Sequence, residues 1–246
     1  MSDPSPSRNA LKRRFKDILG LSLSAGLAQI AAVVALPLLQ RYCYGPVAFA
    51  DMAAYAQLAG ILGAVATLRM DLALVKQNSL ENARATLSNG LRALVVTAFV
   101  ALVLVLGLQN FGFEMGSIPW LWCLLPLGVV GVGLNGLVTG WLSREERFHK
   151  LAVVRAGGGV AGEALRFASA PLGSLGLIVG RIAGQWCSAI WGLRALQNSW
   201  RSAPQSTRSS RKTAWKNSRA YAIFTTPANV LAMAANGLFI LYLFEH

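Results

Sequence analysis

The feature that most constrains this chain is the length of its charge-free stretches. Residues 18–40, 52–68, 93–113, 115–143 and 220–244 contain no Asp, Glu, Lys or Arg, in runs of 23, 17, 21, 29 and 25 residues. A helix rises 1.5 Å per residue, so about 20 apolar residues cross a bilayer core about 30 Å thick. All five runs are read as membrane spans, the second extended through the further apolar residues 72–75. The first run far exceeds the roughly 7–15 residues of a signal-peptide core and is read as a retained span.

Between residues 151 and 193 the chain stays apolar and glycine-rich but carries Arg155, Glu163, Arg166 and Arg181, with Pro171 and Gly173 near its middle. Turn residues there divide the segment into a hairpin of two further spans. The fold expected is all-α: a polytopic membrane bundle with spans at 18–40, 52–75, 93–113, 117–142, 151–171, 174–193 and 220–246.

Composition enters as a test of that count. The chain is 54% hydrophobic and only 13% charged, yet its net charge is +13. A nucleic-acid binder would scatter its cations over amphipathic helices, whereas a membrane protein gathers them in loops on the cytoplasmic side. Nineteen of the 23 cations fall in four alternate segments. These are the tail 1–17, the stretch from Arg69 to Arg92 at the inner end of the second span and beyond, the connection from Arg144 to Lys150, and the stretch from Arg194 to Arg219 that includes the linker 197–219. The amino terminus is therefore expected in the cytoplasm of a bacterial inner-membrane, multi-pass protein. The two basic connections flanking the hairpin must share one side, so it crosses an even number of times. The linker matches no recognisable nucleic-acid module, and no nucleic-acid partner is expected. Cys43, Cys123 and Cys187 are too dispersed for a disulfide framework, and with only two histidines, His149 and His246, neither a metal nor a cofactor is expected.

Gly176, Gly180, Gly184, Ser188 and Gly192 recur at every fourth position. Such a stripe lets two helix backbones approach closely, and Gly136 with Gly140 forms a shorter version. Pro37, Pro126 and Pro227 fall within spans, where kinks are expected.

A charge at the centre of a span costs about 2.5–3.5 kcal/mol on insertion scales, so Arg155, Glu163, Arg166 and Arg181 should face the bundle interior. At 100° per residue, Arg166 lies about 20° and Glu163 about 80° around the helix from Arg155, placing all three on one face. Across the hairpin Arg166 and Arg181 reach similar depth, and Glu163 sits where an i, i+3 ion pair to Arg166 can form. Three arginines against one glutamate leave an excess of about two charges, suited to a multiply charged anion such as pyrophosphate. Glu163 is the candidate for proton or ion coupling. The blander reading is that Glu163 and Arg166 neutralise each other while Arg155 snorkels to the surface. Arg69 and Asp71 close the second span, where capping or cytoplasmic-side capture are both open. Arg41 is expected as an outer interfacial anchor with Tyr42 and Tyr44. Gln29, Asn135, Asn229 and Asn236 are expected as interhelical hydrogen-bond partners.

Pro37, Arg41, Tyr44, Gly45, Pro46 and Phe49 resemble the P-x-x-x-R-x-x-Y-G-P-x-x-F-G junction of Wzx-type polysaccharide (O-antigen) flippases, a family of the multidrug/oligosaccharidyl-lipid/polysaccharide exporter superfamily, with Ala50 where glycine is usual. The stretch from Ala66 to Val75 is similar to the family's A-T-x-R-x-[ED]-x-A-[IV]-V segment, and Glu81-Asn82-Ala83 to its E-x-A. Arg147 to Lys150 and Gly176 to Gly180 fit more weakly. The resemblance implies about 12–14 helices in two rocking lobes, of which this sequence holds the first lobe (18–196), the linker and the first helix of the second. It is then either part of a longer chain or a half that needs another chain. The implied activity is flipping of an undecaprenyl-pyrophosphate-linked oligosaccharide in the lipid bilayer, next to polysaccharide polymerase machinery. Arg166 and Arg181 would hold the pyrophosphate, Glu163 would couple, and Arg155, Arg69 and Asp71 would line the cytoplasmic entry. Three alternatives stay open: a drug or metabolite exporter of the same superfamily, a non-transporting remnant or assembly subunit, and a membrane-embedded glycan enzyme. An enzyme is not expected, because the outer loops are short and carry only Arg41, Asp51 and Glu114.

Overall fold

The computed structural model describes residues 8–110, 119–202, 204 and 207–245. The expectations for residues 1–7, Glu114 and His246 lie outside the described residues, as do those for the side chains of the tail cations and of Asn236. Among the described residues all regular structure is helical and no strand occurs. The helices are α1 (Arg8–Tyr42), α2 (Pro46–Ala66), α3 (Met70–Val75), α4 (Leu80–Asn110), α5 (Leu125–Arg144), α6 (Phe148–Ala168), α7 (Ser174–Ser202), α8 (Arg208–Ala220) and α9 (Thr226–Glu245).

Among the described residues, three segments are long and apolar enough to cross a membrane: Pro46–Ala66, Leu80–Asn110 and Trp122–Arg144. By length and composition they mark a membrane protein. The exterior agrees, since Val95, Val96, Phe99, Val100 and Val103 form an exposed apolar face on α4, which water would not tolerate as a continuous patch. α6 and α7, of 21 and 29 residues, have the length. Their charged residues lower the hydropathy that the other three keep.

α5 is the central element, packed against α2, α3, α4 and α7, while α6 lies between α7 and α1. Trp141 of α5, Leu74, Leu151 and Leu196 join one apolar core, and Tyr55, Val129 and Ile178 another. The glycine stripe is the reason the helices meet so closely. A Cβ at Gly184 would stand 2.6 Å from the Gly162 Cα, and one at Gly180 would stand 2.8 Å from the Arg166 nitrogen. Gly192 instead faces Val138 on α5. Gly140 admits the backbone of α3, where a Cβ would stand 2.4 Å from the Asp71 carbonyl oxygen.

Several local expectations change. The second helix does not run unbroken to residue 75: it stops at Ala66, and Leu68 (φ 48°) and Arg69 (φ 55°) turn in the left-handed region before α3 begins. Two non-glycine residues there cost of order 1–2 kcal/mol each, offset by Met70, Ala73 and Leu74, which are buried in the core. Pro126 sits in the first turn of α5 after a 3₁₀ turn, where a missing N–H leaves nothing unbonded, so it starts a helix instead of kinking one. Pro227, by contrast, lies in helix that runs without a break from α8 through a π turn at Tyr221–Thr225 into α9, so the irregularity expected there falls just before it. Much of the linker is also helical. Thr207 caps α8 by accepting the Ser210 N–H at 3.1 Å, and α8 packs on α4.

Candidate functional site

The site is built on the α6–α7 hairpin. Gly173 makes the reversal at φ 58°, ψ −140°, a conformation that side chains other than hydrogen resist. The Ser169 hydroxyl lies 2.6 Å from the Leu165 carbonyl and 2.8 Å from that of Gly176, and can donate to either, fastening the two helix ends together. Gly176 is required here, because a Cβ would stand 2.0 Å from the Ser169 carbonyl oxygen. The antiparallel register that results puts Arg166 level with Gly180 and beside Arg181.

Glu163 and Arg166 form an i, i+3 ion pair with Nη1 to Oε1 at 2.7 Å, their side chains 15% and 11% exposed. Arg181 is within electrostatic reach of Arg166, Tyr55 and Glu163. No ion pair engages it among the described residues. Three polar atoms in this cluster are buried without a hydrogen-bond partner: Glu163 Oε2, Arg166 Nε and Arg181 Nε. A buried guanidinium N–H left unbonded is costly, so the cluster has capacity for an additional acceptor. Two guanidiniums against one carboxylate leave it a net charge of about +1, smaller than the excess of two read from the sequence.

The difference is Arg155. It lies on nearly the same side of α6 as Arg166 but eleven residues away, about 16 Å along the axis, and there its side chain is exposed. The structure therefore brings Glu163, Arg166 and Arg181 together and leaves Arg155 apart. Arg69 and Asp71 are also elsewhere, beyond the far end of α2. Their ion pair is long, at 3.8 Å, and more exposed; Thr67 Oγ1 donates to Asp71 Oδ1 at 3.4 Å.

Two tyrosines belong to the site that the sequence did not mark for it. Tyr44 is buried, and its hydroxyl donates to the Arg166 carbonyl at 2.6 Å. Burial pushes that hydroxyl above the ordinary tyrosine value, so it remains a donor. Arg41 lies over the exposed Tyr42 ring, 5.5 Å from its centroid, and Tyr44 takes no part in the cluster expected with them. Tyr55 comes from α2, donates to the Leu124 carbonyl at 3.1 Å, and fills the space that Gly128 leaves on α5. Its adjacency to Arg181 carries the polar line from α6 through α7 to α2. Further along α7, the Ser188 hydroxyl lies 3.1 Å from both Asn135 Oδ1 and the Val154 carbonyl, an interhelical link of the kind expected for Asn135.

This arrangement can hold an anion between two arginines with a carboxylate in position to exchange a proton. Compared with known proteins, the chain matches no family model, no curated protein and no solved structure.

Proposed function

We propose that the protein is a membrane transporter that carries a lipid-linked oligosaccharide, joined to its undecaprenyl carrier through pyrophosphate, across the bacterial inner membrane. The observation that carries this reading is the Glu163–Arg166 pair beside Arg181, whose Nε is buried and unbonded. In this reading the bundle crosses seven times with its amino terminus in the cytoplasm, α1, α6, α7 and α9 joining the three apolar segments. The cationic loops on one side support that orientation. The resemblance of the 37–50 and 66–75 segments to Wzx-type flippases supports the substrate.

The chemistry is an exchange of partners. A pyrophosphate diester carries two negative charges, and Arg166 and Arg181 match them once Glu163 is neutral. Glu163, freed as Arg166 turns to the phosphate, is the group that would take the coupling proton or cation, so that the loaded site is close to neutral and the substrate crosses a low-dielectric region at lower cost. The lipid tail stays in the bilayer beside the helices, and a second lobe or another chain completes the pathway. Arg155 and the Arg69–Asp71 pair lie at levels suited to capture on the cytoplasmic side. Polysaccharide polymerase machinery would receive the product.

Arg166→Ala and Arg181→Ala should each abolish transport of a fluorescent pyrophosphate-linked lipid in proteoliposomes while inserting normally. Undiminished transport by both variants would overturn the assignment. Drug efflux in place of lipid transport, with the same arginine dependence, would move the protein to the exporter class.

A further inference from the structure

A groove of about 430 Å³ lies between α4 and α8, away from the arginine cluster, lined by Leu68, Asn89, Arg92, Ala93, Val96 and Thr97 together with Trp215. Its walls are mostly apolar and continue directly into the exposed face of α4, where Val95, Val96, Phe99 and Val100 point away from the core. Its polar end is cationic. Arg92 is exposed one turn before Val96 and enters no ion pair among the described residues. α8 adds Arg208, Arg211, Lys212, Lys216 and Arg219 with no acidic residue. α8 is held in place from below: Ala214 and Ser218 are buried, and Asn89 Nδ2 donates to the Arg211 carbonyl at 3.1 Å. Trp215 remains 41% exposed beside the groove, as an indole at the headgroup level does.

An apolar channel open to the lipid face of a span, ending in guanidinium and ammonium groups, is complementary to one kind of occupant. We propose that this groove binds an anionic phospholipid of the leaflet in which α8 lies, an acyl chain along Val96 and Leu68 and the phosphate at Arg92. A soluble anion would not use the apolar walls, and a zwitterionic lipid would not use the surplus charge of α8. This site is independent of the substrate assigned to the α6–α7 cluster and rests only on the chain residing in a bilayer.

The test uses the full chain in phosphatidylcholine vesicles holding a minor fraction of dibrominated phosphatidylglycerol, compared with the reverse labelling, in which the bromines are on phosphatidylcholine. The signal is the tryptophan quenching that Trp215→Phe removes. Brominated phosphatidylglycerol should quench it more than its mole fraction predicts. Arg92→Gln should lower that preference about fivefold, the factor expected when one basic side chain beside an anionic surface is lost. Arg92→Lys should retain most of it, and Arg201→Gln, on an exposed residue of α7, should leave it unchanged. Quenching by each lipid in proportion to its mole fraction, in a chain that floats with the vesicles, overturns the lipid site alone. Failure to float overturns the membrane reading with it. Displacement by millimolar inorganic phosphate would assign Arg92 to a soluble anion and also overturn the proposal.

Discussion

The α6–α7 hairpin and the α4–α5 pair are both antiparallel helix pairs in the same bundle, and they are held together differently. α4 and α5 meet through large side chains: Leu137 reaches into the space left by Gly90, and Leu94 into that left by Gly133. α6 and α7 meet backbone to backbone, Gly162 on Gly184 and Gly158 on Ser188, and they carry the buried charges. The apolar pair gains little from lipid, whose tails are as apolar as leucine, so its association depends on shape. The hairpin needs its close contact for another reason. Two guanidiniums and a carboxylate can share one interior only where a second helix packs over them and shields them from apolar surroundings. Close packing and buried charge are therefore one feature of this molecule, and each can be broken without touching the other.

The largest effect expected is from the charge. Glu163→Ala leaves Arg166 without its counter-ion beside Arg181, and should cost about 3 kcal/mol of stability, the lower end for breaking a buried pair. Arg69→Gln breaks the longer and more exposed Arg69–Asp71 pair and should cost less than about 1 kcal/mol. Unfolding of both variants in detergent micelles measures the contrast; equal costs would mean that the α6 pair is no better shielded than the one after α2. Next is the contact. Gly184→Leu forces a side chain against Gly162 and should cost about 2–3 kcal/mol, within the usual range for overpacking. Gly107→Leu on α4, where a Cβ meets nothing within 4 Å, should stay within about 0.5 kcal/mol.

Much of the hairpin was legible in the sequence because its determinants are local. Gly173 with Pro171 marks a turn, the four-residue glycine period marks a close face, and the i, i+3 spacing of Glu163 and Arg166 fixes their pairing whatever surrounds them. What escaped was set by packing between distant segments. Arg155 satisfies the same helical angle as Arg166, but angle alone does not say how far along the axis neighbouring helices still cover it. Tyr44 and Tyr42 differ by two residues and by which one the first turn of α2 swings inward. The break at residues 67–69 has no glycine or proline to announce it, and only the burial of Met70 and Leu74 explains why the chain accepts Leu68 and Arg69 at positive φ. Tyr55 left no charge pattern to follow; the signal available was the glycine facing it at residue 128.

A smaller effect sharpens what lies between the two pairs. Ser188 of α7 reaches Asn135 on α5 and the Val154 carbonyl on α6, so it links the hairpin to the central helix. A hydrogen bond of this kind inside a membrane protein is worth about 0.6 kcal/mol. Ser188→Ala should lose about that amount, and a double-mutant cycle with Asn135→Ala should show a coupling of the same size. A cycle with zero coupling would assign the Ser188 hydroxyl to Val154 alone.

The weakest contact expected to register is outside the bundle core, and it is read by pH. Lys76, between α3 and α4, sits 5.4 Å from the Tyr221 ring centroid. Hydrogen bonding to Tyr221, then its charge, raises the Lys76 ammonium above the ordinary lysine value. A lysine whose folded value is raised contributes stability that is complete below its unfolded value and is lost as pH climbs through the folded one. Tyr221→Leu should therefore lower the melting temperature slightly at pH 8, and the gap to the parent should close as pH rises past about 10.4, the ordinary lysine value. A gap that persists unchanged at high pH would show that Tyr221 acts by packing against its neighbours and not through the Lys76 ammonium.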